Sequence, residues 1–560
     1  PGRALRLTTP LFFRTQSSLR FHKKGACALR VLFIVPPYPV EEYPALATGS
    51  MYLASVLREH GHQVEVLDLL ISEPRQDKVE QAMAQAAPDL VGITSVSMTF
   101  PIAARIASWV RKARPEAVVA LGGPHVSFVP ERSLRECPEA DIVVRGEAEQ
   151  TVAELAEALE RGSDLLQVSG LTFRRDGNFL STGPRPLVQD LDQLPAPAWD
   201  LLPLARYRVL QGKVGVLSSR GCPYGCIFCV GQRMVGRKGR FRRPEKVVDE
   251  MEWLARRGFS SVGIDDDLFT LKKSHAMEVC QEIRSRNLPI TWHAFARVDT
   301  VSPEVLGAMS DAGCTDLLYG VESGSQEVLD RIGKGITLEQ VARAVKMGQE
   351  AGLRIFASFI LGLPGETKES LKTTAGFARS LGCQYGFHVL SPFPGTRIWE
   401  EAEAMGMRIL TEQWDHYDAN RVVTLTGDIE PGDVEAILDE YDDGIRRFCR
   451  VQEEKVRLGT ASEQDRRDVQ RRTLRPLAWE ILRQDLLEKH GHVVEPIPRT
   501  EALLQVCLRL SQRLPFSFGQ VREAMEKWAE EGVLRSEPMA GGWLWRWATN
   551  EELISPRKRP

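Results

Sequence analysis

The chain has 560 residues, of which 43% are hydrophobic, 26% charged and 7% aromatic. This composition is typical of globular domains and excludes a collagen-like or intrinsically disordered chain. With 72 Lys and Arg residues against 75 Asp and Glu residues, the formal net charge is -3, so no uniformly basic surface argues for nucleic acid binding. No apolar run approaches the roughly 20 residues of a membrane span. The length predicts about three domains.

The first 28 residues are basic and contain neither Asp nor Glu. We expect residues 1–28 to form a disordered extension without a role in the fold. A transit peptide is the alternative, because such peptides are also rich in basic residues and poor in acidic ones.

Ten cysteines are too few for a disulfide scaffold in a chain of this length. Seven are scattered singly and are typical of small core side chains, whereas the other three lie between Cys222 and Cys229. This cysteine usage favours a reducing, cytoplasmic setting, and the crowded trio needs a separate explanation.

Strands and helices alternate from Arg30 to Leu159. The predicted strands are residues 30–37, 63–69, 89–97, 117–125 and 141–147. Alternating βα units favour an open parallel sheet, so we predict a Rossmann-like domain at residues 29–165. Ligands bind at the carboxyl ends of the strands in such sheets, which here are followed by the loops Pro36–Leu46, Ser95–Thr99, Gly122–Ser127 and Arg145–Glu149.

Residues 166–210 are predicted to be a linker that contains one β-hairpin. Asp176 and Gly177 form the dipeptide most typical of a tight hairpin turn. A proline-rich run, LDQLPAPAWDLLP, follows the hairpin and separates it from the next folded unit.

The βα alternation resumes at Val214. The predicted strands are residues 214–221, 260–267, 290–297, 316–323, 354–362 and 384–392. Six βα units predict a partial (β/α)6 barrel at residues 211–425, and chemistry in barrels gathers at the carboxyl ends of the strands.

Residues 426–560 are predicted to form a mainly helical domain, with long charged helices at 433–458 and 461–489. The pattern of helix, helix and strand at residues 499–549 resembles a winged helix. The alternative is that these elements are only a helical cap on the barrel.

Cys222, Cys226 and Cys229 have the spacing C-x3-C-x2-C directly after a predicted strand. A structural zinc site needs four ligands, and the next histidine along the chain is His275. Three thiolates suit a [4Fe-4S] cluster with one iron left open. Zinc with a distant fourth ligand, and coincidence, are the alternatives.

This cysteine motif at the end of a first barrel strand resembles that of the radical SAM superfamily. The resemblance implies that the open iron binds S-adenosylmethionine (SAM), which is cleaved to a 5′-deoxyadenosyl radical that abstracts hydrogen from the substrate. The segments GIDDDLFT, WHAFARVDT, GVESGS, ILGLPGE and LSPFPGTRIWE resemble further family elements at the ends of strands two to six. The SAM-binding residues that the resemblance implies are Phe228, Asp265, Arg297, Gly320, Glu322, Ser323, Ile360, Gly362 and Ser391.

The N-terminal pattern resembles the cobalamin-binding domain that precedes many radical SAM domains. Many cobalamin proteins carry a D-x-H-x-x-G motif whose histidine coordinates cobalt, but this sequence lacks it. In the related fused enzymes cobalamin is often bound base-off without a protein histidine, and the resemblance implies the same here. The alternatives are a domain that binds nothing, and a structural role for His125. The predicted cobalamin-binding residues are Leu46, Thr48, Gly49, Ser95, Ser97, Gly122, Gly123, Pro124, His125, Gly146 and Glu147.

Together the two resemblances imply that methylcobalamin transfers its methyl group to an unactivated substrate carbon. A non-methylating enzyme, such as an oxidative cyclase resembling the anaerobic magnesium-protoporphyrin ester cyclase, is the main alternative, and a cluster-bearing sensor is another. The expected partners are a small-molecule, lipid or peptide substrate and a flavodoxin- or ferredoxin-type one-electron reductant, without nucleic acid. Candidate residues of the substrate pocket are His293, Tyr385, His388 and Arg397.

Overall fold

The computed structural model describes residues 28–38, 47–211 and 214–554. Of the predicted extension at residues 1–28, only residue 28 lies within these ranges. Leu46, one of the predicted cobalamin-binding residues, lies outside them. No helix in the described ranges is both long enough and apolar enough to cross a lipid bilayer.

The N-terminal sheet begins with five parallel strands in the order β2-β1-β3-β4-β5. The elements are β1 (Arg30–Val35), α1 (Thr48–Glu59), β2 (Gln63–Asp68), α2 (Gln76–Ala86), β3 (Leu90–Thr94), α3 (Phe100–Ala113), β4 (Val118–Gly122), α4 (Pro124–Phe128), α5 (Pro130–Glu136), β5 (Ile142–Val144) and α6 (Glu149–Arg161). The inner strands β3, β4 and β5 are almost entirely apolar because helices cover both faces of the sheet, whereas the edge strand β2 exposes Gln63 and Glu65. The strand order reverses between β1 and β3, which is where open α/β sheets bind their ligands.

A β-hairpin extends this sheet beyond β5. It consists of β6 (Leu171–Arg175) and β7 (Asn178–Ser181), and the turn residues Asp176 and Gly177 both have positive φ, as a type I′ turn requires. Because β6 pairs antiparallel with β5, the hairpin predicted within the linker is part of the N-terminal sheet. The short helix α7 (Leu204–Val209) then leads to the second sheet.

The second sheet has six parallel strands in the order β15-β14-β13-β12-β11-β8. The elements are β8 (Gly215–Val216), β9 (Ser219–Arg220), α8 (Gly231–Val235), β10 (Arg240–Phe241), α9 (Pro244–Arg256), β11 (Ser261–Ile264), α10 (Lys273–Ser285), β12 (Thr291–Ala296), α11 (Pro303–Asp311), β13 (Cys314–Glu322), α12 (Gln326–Arg331), α13 (Leu338–Glu350), β14 (Arg354–Leu361), α14 (Lys368–Ser380), β15 (Gln384–Val389) and α15 (Arg397–Glu401). Within the described ranges β8 and β15 do not pair, so the predicted partial barrel is confirmed as an open sheet.

The inner face of this sheet is hollow, whereas its outer face is closely packed. On β14 the side chains of Ile355, Ala357 and Phe359 are buried against helices, and the alternate side chains are only half-buried. Phe295 on β12 is 41% exposed although it lies in the middle of the fold. An exposed aromatic ring at this position indicates open space inside the barrel.

The C-terminal part is mostly helical, as predicted. Its elements are β16 (Met407–Ile409), β17 (Thr424–Thr426), α16 (Pro431–Arg457), α17 (Glu463–Arg483), α18 (Leu486–His490), β18 (His492–Val493), α19 (Arg499–Ser511), α20 (Phe518–Glu530), β19 (Leu534–Met539) and β20 (Gly542–Trp547). The last three strands form an antiparallel sheet in the order β18-β20-β19. The succession of α19, α20 and the β19–β20 hairpin has the element order of a winged helix.

Candidate active site

The cysteine loop leaves the second sheet through a glycine. Gly221 has φ +111°, and a Cβ atom there would lie 2.4 Å from the carbonyl oxygen of Lys238. The loop returns through β10, which pairs antiparallel with β9 so that Arg240 lies opposite Arg220. Residues 222–239 therefore form a loop, the cysteine loop. Its two ends are joined by the antiparallel pair of β9 and β10, which we call the stem.

Asp266 and Asp267, which follow β11, hold the segment that leads into the cysteine loop by hydrogen bonds. Both oxygens of the buried Asp266 accept hydrogen bonds from Ser218 and Ser219, at 2.7 and 2.9 Å from their amides and at 2.5 and 2.7 Å from their hydroxyls. Burial raises the pKa of Asp266 to about 6. Asp267 accepts from the amide of Gly221 at 3.2 Å, so the acidic run positions the strand from which the loop departs.

The three cysteines line one cavity of about 340 Å³. Its other lining residues are Tyr224, Phe228, Gln232, Asp266, Asp267, Leu268, Phe295, Ala296, Arg297, Leu318, Gly320, Glu322 and Lys334. In the described part of the chain, no three His, Cys, Asp or Glu side chains are grouped so that they could hold a metal ion. Thiols arranged around a cavity fit a larger iron–sulfur cluster better than a single zinc ion.

Positive charge surrounds the buried thiol of Cys226. Burial raises its pKa, and Lys334 and Arg297 counteract that rise. Arg297 donates to Asp299 at 2.9 and 3.0 Å, and its Nη1 atom lies 4.0 Å from the Cys226 Sγ atom. Its guanidinium group also stacks 3.5 Å above the ring of Tyr224. The cationic surroundings suit a thiolate that ligates iron.

Glu322 presents its carboxylate to the same cavity from the end of β13. It has φ +75°, which is unusual for a residue other than glycine, and the register of β13 shifts between Gly320 and Glu322. A Cβ atom on Gly320 would lie 2.5 Å from Glu322 Oε1. That oxygen accepts from Lys334 Nζ at 2.7 Å, and both side chains are buried. Backbone strain that aims a charged group into a cavity is typical of a functional site.

The sequence analysis missed Lys334, Tyr224 and the roles of the two aspartates. Lys334 is flanked by Gly333 and Gly335, both with positive φ, and this Gly-Lys-Gly run was the one local indication of a specially placed lysine. Its pairing with Glu322 joins two loops and has no sequence pattern of its own.

Two predicted SAM-binding residues lie next to the cavity without lining it. The carboxylate of Asp265 fills the space beside Gly215, whose added Cβ would overlap it. Ser323 is buried, and its Oγ atom lies 3.1 Å from the hydroxyl of Thr374 on α14. A role for either residue in binding SAM stays a prediction.

Three further predicted SAM-binding residues, Ile360, Gly362 and Ser391, lie at or just after the ends of β14 and β15. Ile360 is half-buried on β14. The Gly362 amide donates to Glu366 Oε2 at 2.7 Å, and burial raises the pKa of that carboxyl to about 7. Ser391 Oγ accepts from the amide of Ala419 at 3.2 Å. None of these three residues lines the cavity, so their contact with SAM also stays a prediction.

The four predicted substrate-pocket residues lie in different surroundings. His293 is buried on β12, and its Nε2 atom lies 2.8 Å from the position of a Cβ atom on Gly263. His388 is exposed on β15. Tyr385 packs on Tyr441 with 5.5 Å between the ring centroids, and the exposed Arg397 pairs with Glu401 of its own helix. Tyr385 and Arg397 therefore pack on or pair with other residues of the fold.

A second polar site lies at the carboxyl ends of β3 and β4. Gly123 has φ +104°, and a Cβ atom there would lie 2.4 Å from the carbonyl oxygen of Ser95. Ser95 Oγ and His125 Nε2 are buried, and neither has a hydrogen-bond partner within the described ranges. Unpaired buried polar atoms at the ligand-binding edge of an open α/β sheet fit a bound polar cofactor.

His125 is held in an aromatic enclosure. Its Nδ1 atom lies 3.1 Å from Ser97 Oγ, and its ring centroid lies 4.6 Å from those of both Phe100 and Trp414. Burial lowers the pKa of His125 to about 3, with a smaller effect from Arg132. The imidazole is therefore neutral at physiological pH.

Most of the other predicted cobalamin-binding residues lie at the same edge of the sheet. Thr48 and Gly49 begin α1, Gly122 ends β4, Pro124 begins α4, and Gly146 follows β5 with its amide 3.0 Å from Ser127 Oγ. Glu147 differs, because its carboxylate is buried and accepts from Arg240 at 2.6 and 2.8 Å. It contacts the stem of the cysteine loop.

Comparisons with known proteins match the two parts of the chain in which these sites lie. The Radical SAM superfamily profile matches residues 216–378, and the B12 binding domain profile matches residues 42–156. An uncharacterized methyltransferase of Pyrococcus horikoshii is 37% identical over 397 residues, which are 70% of this chain and 86% of that protein. The anaerobic magnesium-protoporphyrin IX monomethyl ester cyclase of Rubrivivax gelatinosus is 29% identical over 440 residues, or 75% of this chain and 77% of that protein.

A solved structure has the same fold over nearly the whole chain. It is the radical S-adenosylmethionine methyltransferase TsrM of Kitasatospora setae, solved with cobalamin and a [4Fe-4S] cluster bound. The match covers 90% of this chain and 99% of that chain, with a TM-score of 0.63 and 20% sequence identity.

We predict that Gly221→Ala destabilises the second domain, because the added Cβ collides with a backbone carbonyl and φ +111° is unfavourable for alanine. The matched control is Gly307→Ala in α11, where a Cβ would meet no atom within 4 Å. The control should gain up to about 1 kcal/mol of stability. Urea unfolding of the apoprotein measures both changes, and equal midpoints would contradict the strain at Gly221.

We also predict that His125 makes the fold acid-sensitive. Its pKa in the folded chain, about 3, lies below the ordinary value of 6.5, so the unfolded chain binds a proton that the folded chain excludes. Its contribution to stability therefore falls as the pH drops from about 6.5 towards 3, by about 1.4 kcal/mol per pH unit. Urea unfolding between pH 7.5 and 5 should show a shallower loss for His125→Gln, and parallel curves would exclude this assignment.

Proposed function

We propose that this chain, which belongs to the radical SAM enzymes with a B12-binding domain, methylates an unactivated carbon atom of its substrate. Its cofactors are a [4Fe-4S] cluster, SAM and cobalamin. The observation that carries the proposal is the cavity that combines three thiols with a buried lysine–glutamate pair. The methyltransferase from Pyrococcus horikoshii supports the choice of reaction.

The cysteine cavity has the residues that a cluster and SAM would need. Cys222, Cys226 and Cys229 would hold three irons, and the fourth would bind SAM. When bound, these groups supply a 5′-deoxyadenosyl radical, and cobalamin supplies a transferable methyl group. Glu322 and Lys334 place opposite charges side by side on one wall, which complements the ammonium and carboxylate groups of the methionine part of SAM.

The apolar side of the cavity suits radical chemistry. Phe228, Leu268, Phe295 and Leu318 line it next to the thiols. Apolar lining residues exclude water, which strengthens the charge interactions in the same cavity and prevents side reactions. Because Phe295 is 41% exposed and lines the cavity, we assign it to the surface that contacts the carbon skeleton of the substrate.

The substrate would enter the hollow interior of the barrel. His388 is exposed on β15, opposite Ile360 of β14 in the sheet register, and could contact a polar group of a small-molecule, lipid or peptide substrate. The cluster also needs an external one-electron reductant of the flavodoxin or ferredoxin type. Cobalamin in the base-off form and a cytoplasmic location complete the proposal.

A second candidate function is radical chemistry without methyl transfer. The similarity to the Rubrivivax gelatinosus cyclase, which extends over 75% of this chain, favours it. The two reactions differ in product mass, since methylation adds 14 Da per methyl group whereas oxidative cyclisation removes hydrogen. With substrate in hand, mass spectrometry of the product would decide between them, and a loss of hydrogen without a mass gain would refute methylation.

Anaerobic reconstitution tests the cluster assignment. With iron, sulfide, SAM and dithionite, the full chain should produce 5′-deoxyadenosine, and Cys226→Ala should abolish it because one of three thiolate ligands is lost. Cys383→Ala is the matched control, since Cys383 is half-buried and does not line the cavity. Liquid chromatography measures the product, and undiminished 5′-deoxyadenosine from Cys226→Ala would refute the assignment.

A further inference from the structure

We propose that Glu147 is a positioning residue that couples the cobalamin site to the cysteine loop. The inference rests on the proposed function, because it requires cobalamin at the edge of the first sheet. It assigns Glu147 a role different from the direct cobalamin contact expected from the sequence.

Glu147 closes the stem of the cysteine loop. Arg220 and Arg240 lie directly opposite each other on β9 and β10, where like charges oppose strand pairing. The Glu147 carboxylate accepts from Arg240 at 2.6 and 2.8 Å, and its Oε1 atom lies 3.4 Å from Arg220. One carboxylate from the N-terminal domain therefore contacts both opposed guanidinium groups and reduces the repulsion between the two ends of the loop.

Because the side chains of Glu147, Arg220 and Arg240 are buried, the folded stem requires their charges to be paired. The side chains of Glu147 and Arg240 are 4% and 5% exposed, and that of Arg220 is 11% exposed. Glu149 adds a second carboxylate, 2.7 Å from Arg220, so two acidic groups balance two guanidinium groups. A buried charge that loses its partner is strongly destabilising, so the stem depends on these two glutamates.

Glu147 and Arg220, the two residues that the proposal couples, each lie close in sequence to one of the two cofactor sites. Glu147 follows Gly146, which has φ +71° and follows β5 at the ligand-binding edge of the first sheet. Arg220 stands two residues before Cys222. A cofactor that orders residues 145–149 would therefore also order residues 222–239 through the shared carboxylate, which is a coupling between two separate sites.

Both oxygens of the Glu147 carboxylate accept hydrogen bonds. Besides the two arginines, its Oε2 atom accepts from the amide of Val188 at 2.9 Å. A glutamine at position 147 keeps the size and one carbonyl acceptor but removes the charge. This substitution separates charge neutralisation from packing.

Hydrogen exchange of the full apoprotein, with hydroxocobalamin as the probe and neither SAM nor reductant present, tests the coupling. In the unaltered chain, hydroxocobalamin should slow amide exchange in residues 222–239 about fivefold or more. In Glu147→Gln these amides should exchange fast with and without hydroxocobalamin. Asp200→Asn is the matched control, because the Asp200–Arg58 pair is exposed, and it should keep the full effect.

A second substitution separates the proposed charge effect from a general loss of structure. Glu147→Gln combined with Arg240→Gln removes one carboxylate and one of the two opposed guanidinium groups, and should restore slow exchange in the loop. Full coupling in Glu147→Gln would overturn the proposal, as would bound hydroxocobalamin that leaves the unaltered loop unchanged. A chain that fails to retain hydroxocobalamin through gel filtration would overturn the cobalamin assignment of the proposed function as well.

Discussion

The three thiols that line one cavity determine which charges the surrounding residues must supply. Thiolates repel one another and are poorly stabilised by apolar surroundings, so they require positive charge nearby. The chain supplies Lys334 and Arg297 next to Cys226, and the cluster itself would supply the remaining charge. Each cation is fixed in turn by an acidic partner, Glu322 for the lysine and Asp299 for the arginine. The cavity thus combines charged groups of fixed orientation with an apolar wall.

The sequence was most informative where the chemistry is local. The spacing of Cys222, Cys226 and Cys229 depends on one loop, and the βα alternation depends on patterns within single strands and helices. Both could be predicted because neighbouring residues carry the information. Pairs formed across the fold, such as Lys334 with Glu322 or Arg240 with Glu147, leave no periodic trace in a single sequence.

The run Asp265–Asp267 shows how a one-residue ambiguity arises. The three aspartates follow Ile264, the last residue of β11, so the alternation of side chains along a strand does not determine which carboxylate faces the cavity. The sequence analysis assigned the first aspartate to SAM, whereas Asp266 and Asp267 line the cavity and hold the start of the cysteine loop. Where strand β11 ends determines the outcome, and strand ends are poorly defined by sequence.

Two kinds of contact hold the first domain against the second. Trp414, which follows the barrel strands, packs on His125 of the first domain and receives the guanidinium group of Arg132 at 4.5 Å. The ring contact buries apolar area, which has little directional preference, and the Trp414 Nε1 atom also donates to Glu136 Oε2 at 2.8 Å. The charged contact at Glu147 fixes orientation because its oxygens meet two guanidinium groups. A radical and a methyl donor react only when they are held at close range and in line. An interface that combines contacts of both kinds provides the attraction and the alignment that the proposed methyl transfer needs.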